Sequence, residues 1–183
     1  MYQQLSANRP GCVNIHALVG RADDFNGSKA RFLSFHTDDA AKKSLSWESG
    51  MSAVEGVSVH RAVSSLAAAQ NWAAHISRYR APLGVRAHTL EVRPLAQLLA
   101  DHGVNEVDFF SLDCEGAERT VLRSLDFARV KVRLLAIETV DPPTRQLLRA
   151  NGFRDTGFRA ALGDSFWVHE RHFHEKFGRL RSR

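Results

Sequence analysis

Val107-Asp108-Phe109-Phe110-Ser111-Leu112-Asp113-Cys114-Glu115-Gly116-Ala117-Glu118 is the stretch whose reading decides the fold. Its first six residues are near-continuously apolar with little alternation, the pattern of a strand covered on both faces in a parallel sheet. Two carboxylates, Asp113 and Glu115, follow at the carboxyl end, and in open α/β sheets ligands bind in the crevice outside that end. Gly116, without a Cβ, lets the chain turn sharply. From Ala117 the apolar positions Ala117, Val121, Leu122 and Leu125 form one helical stripe, leaving Glu118, Arg119 and Arg123 to face water. Glu118 falls in the first turn, where a negative charge suits the helix dipole.

Reading outward, Val132 to Ile137 predicts a second buried strand, ending in a further carboxylate, Glu138. Asp141-Pro142-Pro143 opens a helix, with Asp as cap and proline in the first turn, and Gly152 closes it. Phe153 to Phe158 and Ser165 to Val168 read as a hairpin joined through Leu162-Gly163-Asp164. Before the motif, Pro94 and Gly103 bracket a short helix, and the alanine-rich Ala62 to Tyr79 predicts a helix beside the site. The segment from Asp38 to Gly56 is small and polar apart from Leu45, Trp47 and Met51; a loop of that length is usually functional or disordered. Cys12 to Val19 has the length of a strand, and Arg31 to Phe35 is expected to complete a hairpin, both as edge elements.

The run LDCEGAERTVLRSLDF, from Leu112 to Phe127, resembles the LDVEGAE-type signature of the FkbM-like family of S-adenosylmethionine-dependent methyltransferases. Thr89-Leu90 with Pro94 to Gly103, Val132 to Glu138, Gly152-Phe153, Asn8 to Val19 and Ser49 to Ser52 resemble flanking parts of the same domain. The resemblance implies an α/β fold: a doubly wound, mostly parallel sheet with a C-terminal antiparallel hairpin, class I methyltransferase-like and N-terminally incomplete. It implies S-adenosylmethionine as cofactor and O-methylation of a small-molecule or glycan hydroxyl acceptor. Asp113 and Glu115 are then the candidate catalytic carboxylates, one to orient or deprotonate the acceptor oxygen. Glu115 has a structural alternative, holding the strand-to-helix turn by accepting backbone N–H bonds. His16, Ala17 and Leu18 match the family's adenine contact. Glu138, by its strand-end position, and Trp47 and Met51, as parts of a lid, are the candidate substrate residues.

Composition narrows the class. With 183 residues, 44% hydrophobic and 25% charged, the chain fits one globular domain, expected over 1–170, with a basic tail over 171–183. No run approaches the ~18 apolar residues of a membrane span, and no signal pattern opens the chain, so a cytoplasmic protein is expected. Cys12 and Cys114 lack the spacing of a disulfide framework or a zinc motif. The net charge of +5 owes much to Arg171, Lys176, Arg179, Arg181 and Arg183. Nucleic-acid binding is not expected, because no stacking motif or recognisable module accompanies them. His169, His172 and His174 in that segment do not form a defined metal set.

No GxG occurs anywhere, although a domain of this type carries a glycine-rich turn after its first strand to approach the cofactor. The chain therefore reads as an N-terminally truncated methyltransferase, or as a remnant that no longer binds the cofactor. On the second reading it is a non-catalytic α/β interaction module. The sheet edge left open suits a homodimer, since such edges are normally covered or paired.

Overall fold

A computed structural model describes residues 6–25, 27–36, 52–55, 65–77, 84–161 and 163–177. In chain order the strands are β1 (Leu18–Val19), β2 (Lys29–His36), β3 (Ser52–Val54), β4 (Gly84–Arg93), β5 (Glu106–Leu112), β6 (Lys131–Ile137), β7 (Phe153–Arg159) and β8 (Ser165–His169). The helices are α1 (Leu66–Ser77), α2 (Leu95–Asp101), α3 (Glu118–Arg123), α4 (Pro142–Ala150) and α5 (Glu170–Phe177). No helix among the described residues is long and apolar enough to cross a membrane.

The strands form two four-stranded sheets, ordered β1-β4-β2-β3 and β5-β6-β8-β7. Only β1–β4 and β5–β6 are parallel; β2–β3, β2–β4, β6–β8 and β7–β8 are antiparallel. The expectation of a mostly parallel sheet is thus corrected to mixed α/β, while the C-terminal antiparallel hairpin, β7–β8, is present. The main cause is β4, which pairs with β2 over eight residues from Lys29↔Glu91 to His36↔Gly84. Arg31 to Phe35 therefore lies inside β2, between two partners, and not in an edge hairpin with Cys12 to Val19. Of that earlier run only Leu18 and Val19 enter a sheet; Val13 is 67% exposed. Ser52–Val54, inside the expected long loop, is a strand on the other side of β2. Helix α1 packs Ala69 and Ala73 on Leu33 and Phe35 of β2.

The main core lies between the second sheet and the helices that follow its strands. Leu122, Leu135, Ile137, Leu148 and Trp167 are fully buried there. The indole of Trp167 is satisfied in place: Nε1 donates to Ser165 Oγ at 3.1 Å, and that hydroxyl donates to Ile137 O at 3.1 Å. Helix α4 starts as its residues dictate, with Asp141 Oδ1 accepting from Thr144 N at 2.8 Å and Pro142 in the first turn. β5 departs from the reading of a strand covered on both faces. Phe109 is 54% exposed, and among the described residues β5 pairs with β6 alone. Its polar residues are engaged: buried Arg133 on β6 donates to Asp108 at 2.9 Å and to Glu106 at 2.6 Å.

Glu170–Phe177, largely within the segment read as a basic tail, is the helix α5, and its Lys176 Nζ lies 2.6 Å from Asp108 Oδ2. The helix is capped by an imidazole: His169 Nδ1 accepts from His172 N at 3.2 Å, which requires that nitrogen to be unprotonated. The His169 ring meets Phe153 edge-on at 5.0 Å and stacks on His172 at 3.9 Å. Burial, then the neighbouring His172, holds the His169 pKa below its usual range; Glu175 opposes and Arg171 adds to the shift. A base whose folded pKa is depressed stabilises the fold above its ordinary pKa of about 6.5 and loses that contribution as pH falls through the folded value. Amide-exchange protection of α5 is therefore expected to fall between pH 7 and pH 5. His169→Ala should cost about 1 kcal/mol at pH 7.5, the usual worth of an N-cap, and flatten that dependence. Unchanged protection across the range in the parent chain would refute the cap's role.

Candidate functional site

Parallel pairing of β5 and β6 brings their carboxyl ends out side by side, so the two strand-end carboxylates meet. Leu112 pairs with Ile137, and Glu138 N donates to Leu112 O at 3.3 Å. The next residue of each strand is acidic, and Asp113 and Glu115 lie close enough to Glu138 for their charges to raise its carboxyl. Glu138 is exposed as a residue, but partial desolvation of its carboxyl, reinforced by the charges of Asp113 and Glu115, pushes it up to about 7. Near neutral pH Glu138 retains a proton that a lone carboxylate would have lost.

Between Asp113 and α3 the chain makes a tight turn closed by Ala117 N donating to Cys114 O at 3.1 Å. Gly116 supplies a φ of 92°, and Glu115 itself adopts a φ of 51°. A left-handed conformation costs a residue with a side chain roughly 1–2 kcal/mol and persists where the surroundings hold it. Here the holder is Glu118, whose Oε1 accepts from Cys114 N at 3.0 Å and from Gly116 N at 3.2 Å. Glu118 is only 2% exposed, so the expectation that it faces water is corrected. Glu118 thus holds the turn by accepting backbone N–H bonds, the kind of role also considered for Glu115. Glu115 is left on the acidic side of Glu138. Cys114 packs against the core, and burial, then the charges of Glu118 and Asp113, drive its thiol up to about 12. It is a neutral packing group and not a nucleophile.

Two cavities flank this turn, with α3 as their partition. On one side a cavity of about 370 Å³ is mainly apolar, walled by Leu18, Phe32, Val54, Phe110 and Val121, with Asp113 also in its lining. On the other side a pocket of about 160 Å³ is polar, and Arg119, Thr120 and Arg123 of α3 face it together with Thr139 and Thr144. Among the sequence candidates, Asp113, Glu115 and Glu138 come together, and Ala17 and Leu18 line the apolar cavity beside Asp113. His16 is exposed and is not among the lining residues of that cavity. Trp47 and Met51 lie outside the described residues. Sequence reading missed Glu118, the wall residues Phe32 and Val54, and the polar pocket. Among the described residues no group of three or more His, Cys, Asp or Glu side chains has an arrangement that holds a metal ion.

The model of one protein family, described as the methyltransferase FkbM domain, matches residues 3–159. No curated protein and no solved structure matches the chain.

Proposed function

The chain belongs to the FkbM methyltransferase family, and from that premise we propose that it moves a methyl group from S-adenosylmethionine to a hydroxyl of a small acceptor at the carboxyl ends of β5 and β6. The observation that carries this reading is the meeting of Asp113, Glu115 and Glu138 at the motif turn, with Glu138 raised to about 7. A group poised near the working pH is what proton removal from a hydroxyl calls for. S-adenosylmethionine, the usual methyl donor of such enzymes, supplies an electrophilic methyl on a cationic sulfur.

The residues present suit the apolar and the cationic parts of that donor. Leu18, Phe32, Val54 and Phe110 offer a dry wall for a purine in a cavity of about 370 Å³, within the usual size of a small-molecule site. Asp113, Glu115 and Glu138 gather negative charge at the motif turn, which favours a cation. Asp113 orients the acceptor hydroxyl, and Glu138, once ionised, takes its proton. Titration calorimetry of the full chain with S-adenosylhomocysteine tests the reading. Saturable binding that Leu18→Asp weakens at least about tenfold is expected, because a charge in a dry wall must be desolvated. No heat at millimolar ligand would overturn it.

A further inference from the structure

The apolar cavity is a seam between the two halves of the molecule. Leu18, Phe32 and Val54 of the first sheet wall one side, and Phe110 and Leu112 of β5 with Val121 of α3 wall the other. The width of such a space depends on what fixes one half against the other. Between β1 and β2 the chain makes a short 3₁₀ turn, Ala22–Asp24. Phe25, directly after it, is buried in one cluster with Leu18, Val54 and Val92 and so belongs to the first sheet. Asp24, directly before Phe25, reaches the other half: its Oδ1 accepts from Arg123 Nη1 of α3 at 2.9 Å.

Close packing brings the same two surfaces together at Gly20. A Cβ there would overlap the Phe25 ring and lie 2.8 Å from Thr120 Cγ2 on α3, so a side chain at this position would hold them apart. Gly20 N donates to Arg93 O at 3.1 Å, which ties this approach to the end of β4. The charge contact itself is incompletely satisfied. The Asp24 side chain is 10% exposed, and its Oδ2 is buried with no hydrogen-bond partner among the described residues. An ion pair formed at that desolvation cost adds little net stability. What it fixes is the placement of α3 against the first sheet.

We propose that Asp24 is a positioning residue of the apolar cavity: through Arg123 it clasps the first sheet to α3 and so sets the width of the slot that receives the flat ring of the methyl donor. The identity of the occupant rests on the methyltransferase reading; the clasp does not.

Two variants disturb the contact by different means. Asp24→Asn removes the charge at nearly constant size, and Gly20→Ala wedges the same surfaces apart without touching a charge. By titration calorimetry each should weaken S-adenosylhomocysteine about tenfold, the scale of a misplaced binding wall, and in methyl transfer the loss should fall on KM for S-adenosylmethionine and spare kcat. The double variant Asp24→Asn/Arg123→Gln should bind no more weakly than either single one, as partners in one contact do. Without ligand, amide exchange of Asp24→Asn should quicken about tenfold at Gly20, Phe25 and Val121 and stay as in the parent across β7–β8, the pattern of a local opening. Exchange that is unchanged at those three amides, or that quickens equally across β7–β8 as loss of overall stability would make it, overturns the clasp. Variants that bind S-adenosylhomocysteine as tightly as the parent overturn it too. A parent chain that does not bind S-adenosylhomocysteine overturns the methyltransferase reading alone, and the exchange pattern then decides the clasp.

Discussion

Glu118→Ala is expected to destabilise the protein by about 3 kcal/mol, the sum of two charge-assisted hydrogen bonds lost at buried donors. The carboxylate is the acceptor for Cys114 N and Gly116 N, and at 2% exposure water has little room to replace it. The loss falls on the turn in which Glu115 holds a φ of 51°, so strain now balanced by those bonds is released. Two effects should appear together: a lower urea midpoint, and a fall in methyl transfer because Asp113 is no longer held in place. Glu118→Gln separates charge from geometry. Its amide oxygen still accepts, so most of the stability should remain. If the alanine variant unfolds within 0.5 kcal/mol of the parent, a scale typical of surface changes, Glu118 does not hold the turn.

Asp113→Asn should reduce methyl transfer by about 10²–10⁴-fold, the usual span for a positioned acid–base group, with the urea midpoint little changed because Asp113 is exposed. Glu138→Gln should act on the pH profile as well as on the rate. Glu138 is raised to about 7, chiefly by partial desolvation of its carboxyl and then by Asp113 and Glu115. As a base it works only when ionised, so kcat/KM should climb as pH rises through about 7 and level off above it. In the Gln variant that inflection should vanish. Asp113→Asn should also move the inflection to lower pH by removing a like charge beside Glu138. Asp113→Asn with full activity, or an inflection near 7 that persists in Glu138→Gln, would remove these carboxylates from the chemistry.

The second sheet was legible in the sequence largely because its signals are local. Val132 to Ile137 is apolar but for Arg133 and largely buried on both faces, Asp141 caps the helix that its own side chain starts, and the β7–β8 hairpin is bounded by turn residues. The first sheet was not, because its pairing is decided by partners distant in the chain. Gly84–Arg93 interleaves Arg86, His88 and Glu91 with Val85, Leu90 and Val92, a mixture that becomes a strand only beside β2. An apolar run such as Cys12 to Val19 has the length of a strand yet carries no statement of which residues find a neighbour. At the site, the strand-end position of Asp113 and Glu138 was legible, since parallel strands with acidic successors place those residues together. The burial of Glu118 was not: a glutamate at a helix start defaults to water, and only closure of the turn over it gives its carboxylate two N–H donors.

Helix α3 is six residues long and serves as a wall for both cavities. Because Val121 faces one side while Arg119 and Thr120 face the other, a displacement of the helix that enlarges either space contracts its neighbour. A ligand that shifts α3 on entering one space would thereby be linked to occupancy of the other, and such a linkage is symmetric: each occupant alters the other's affinity by the same factor.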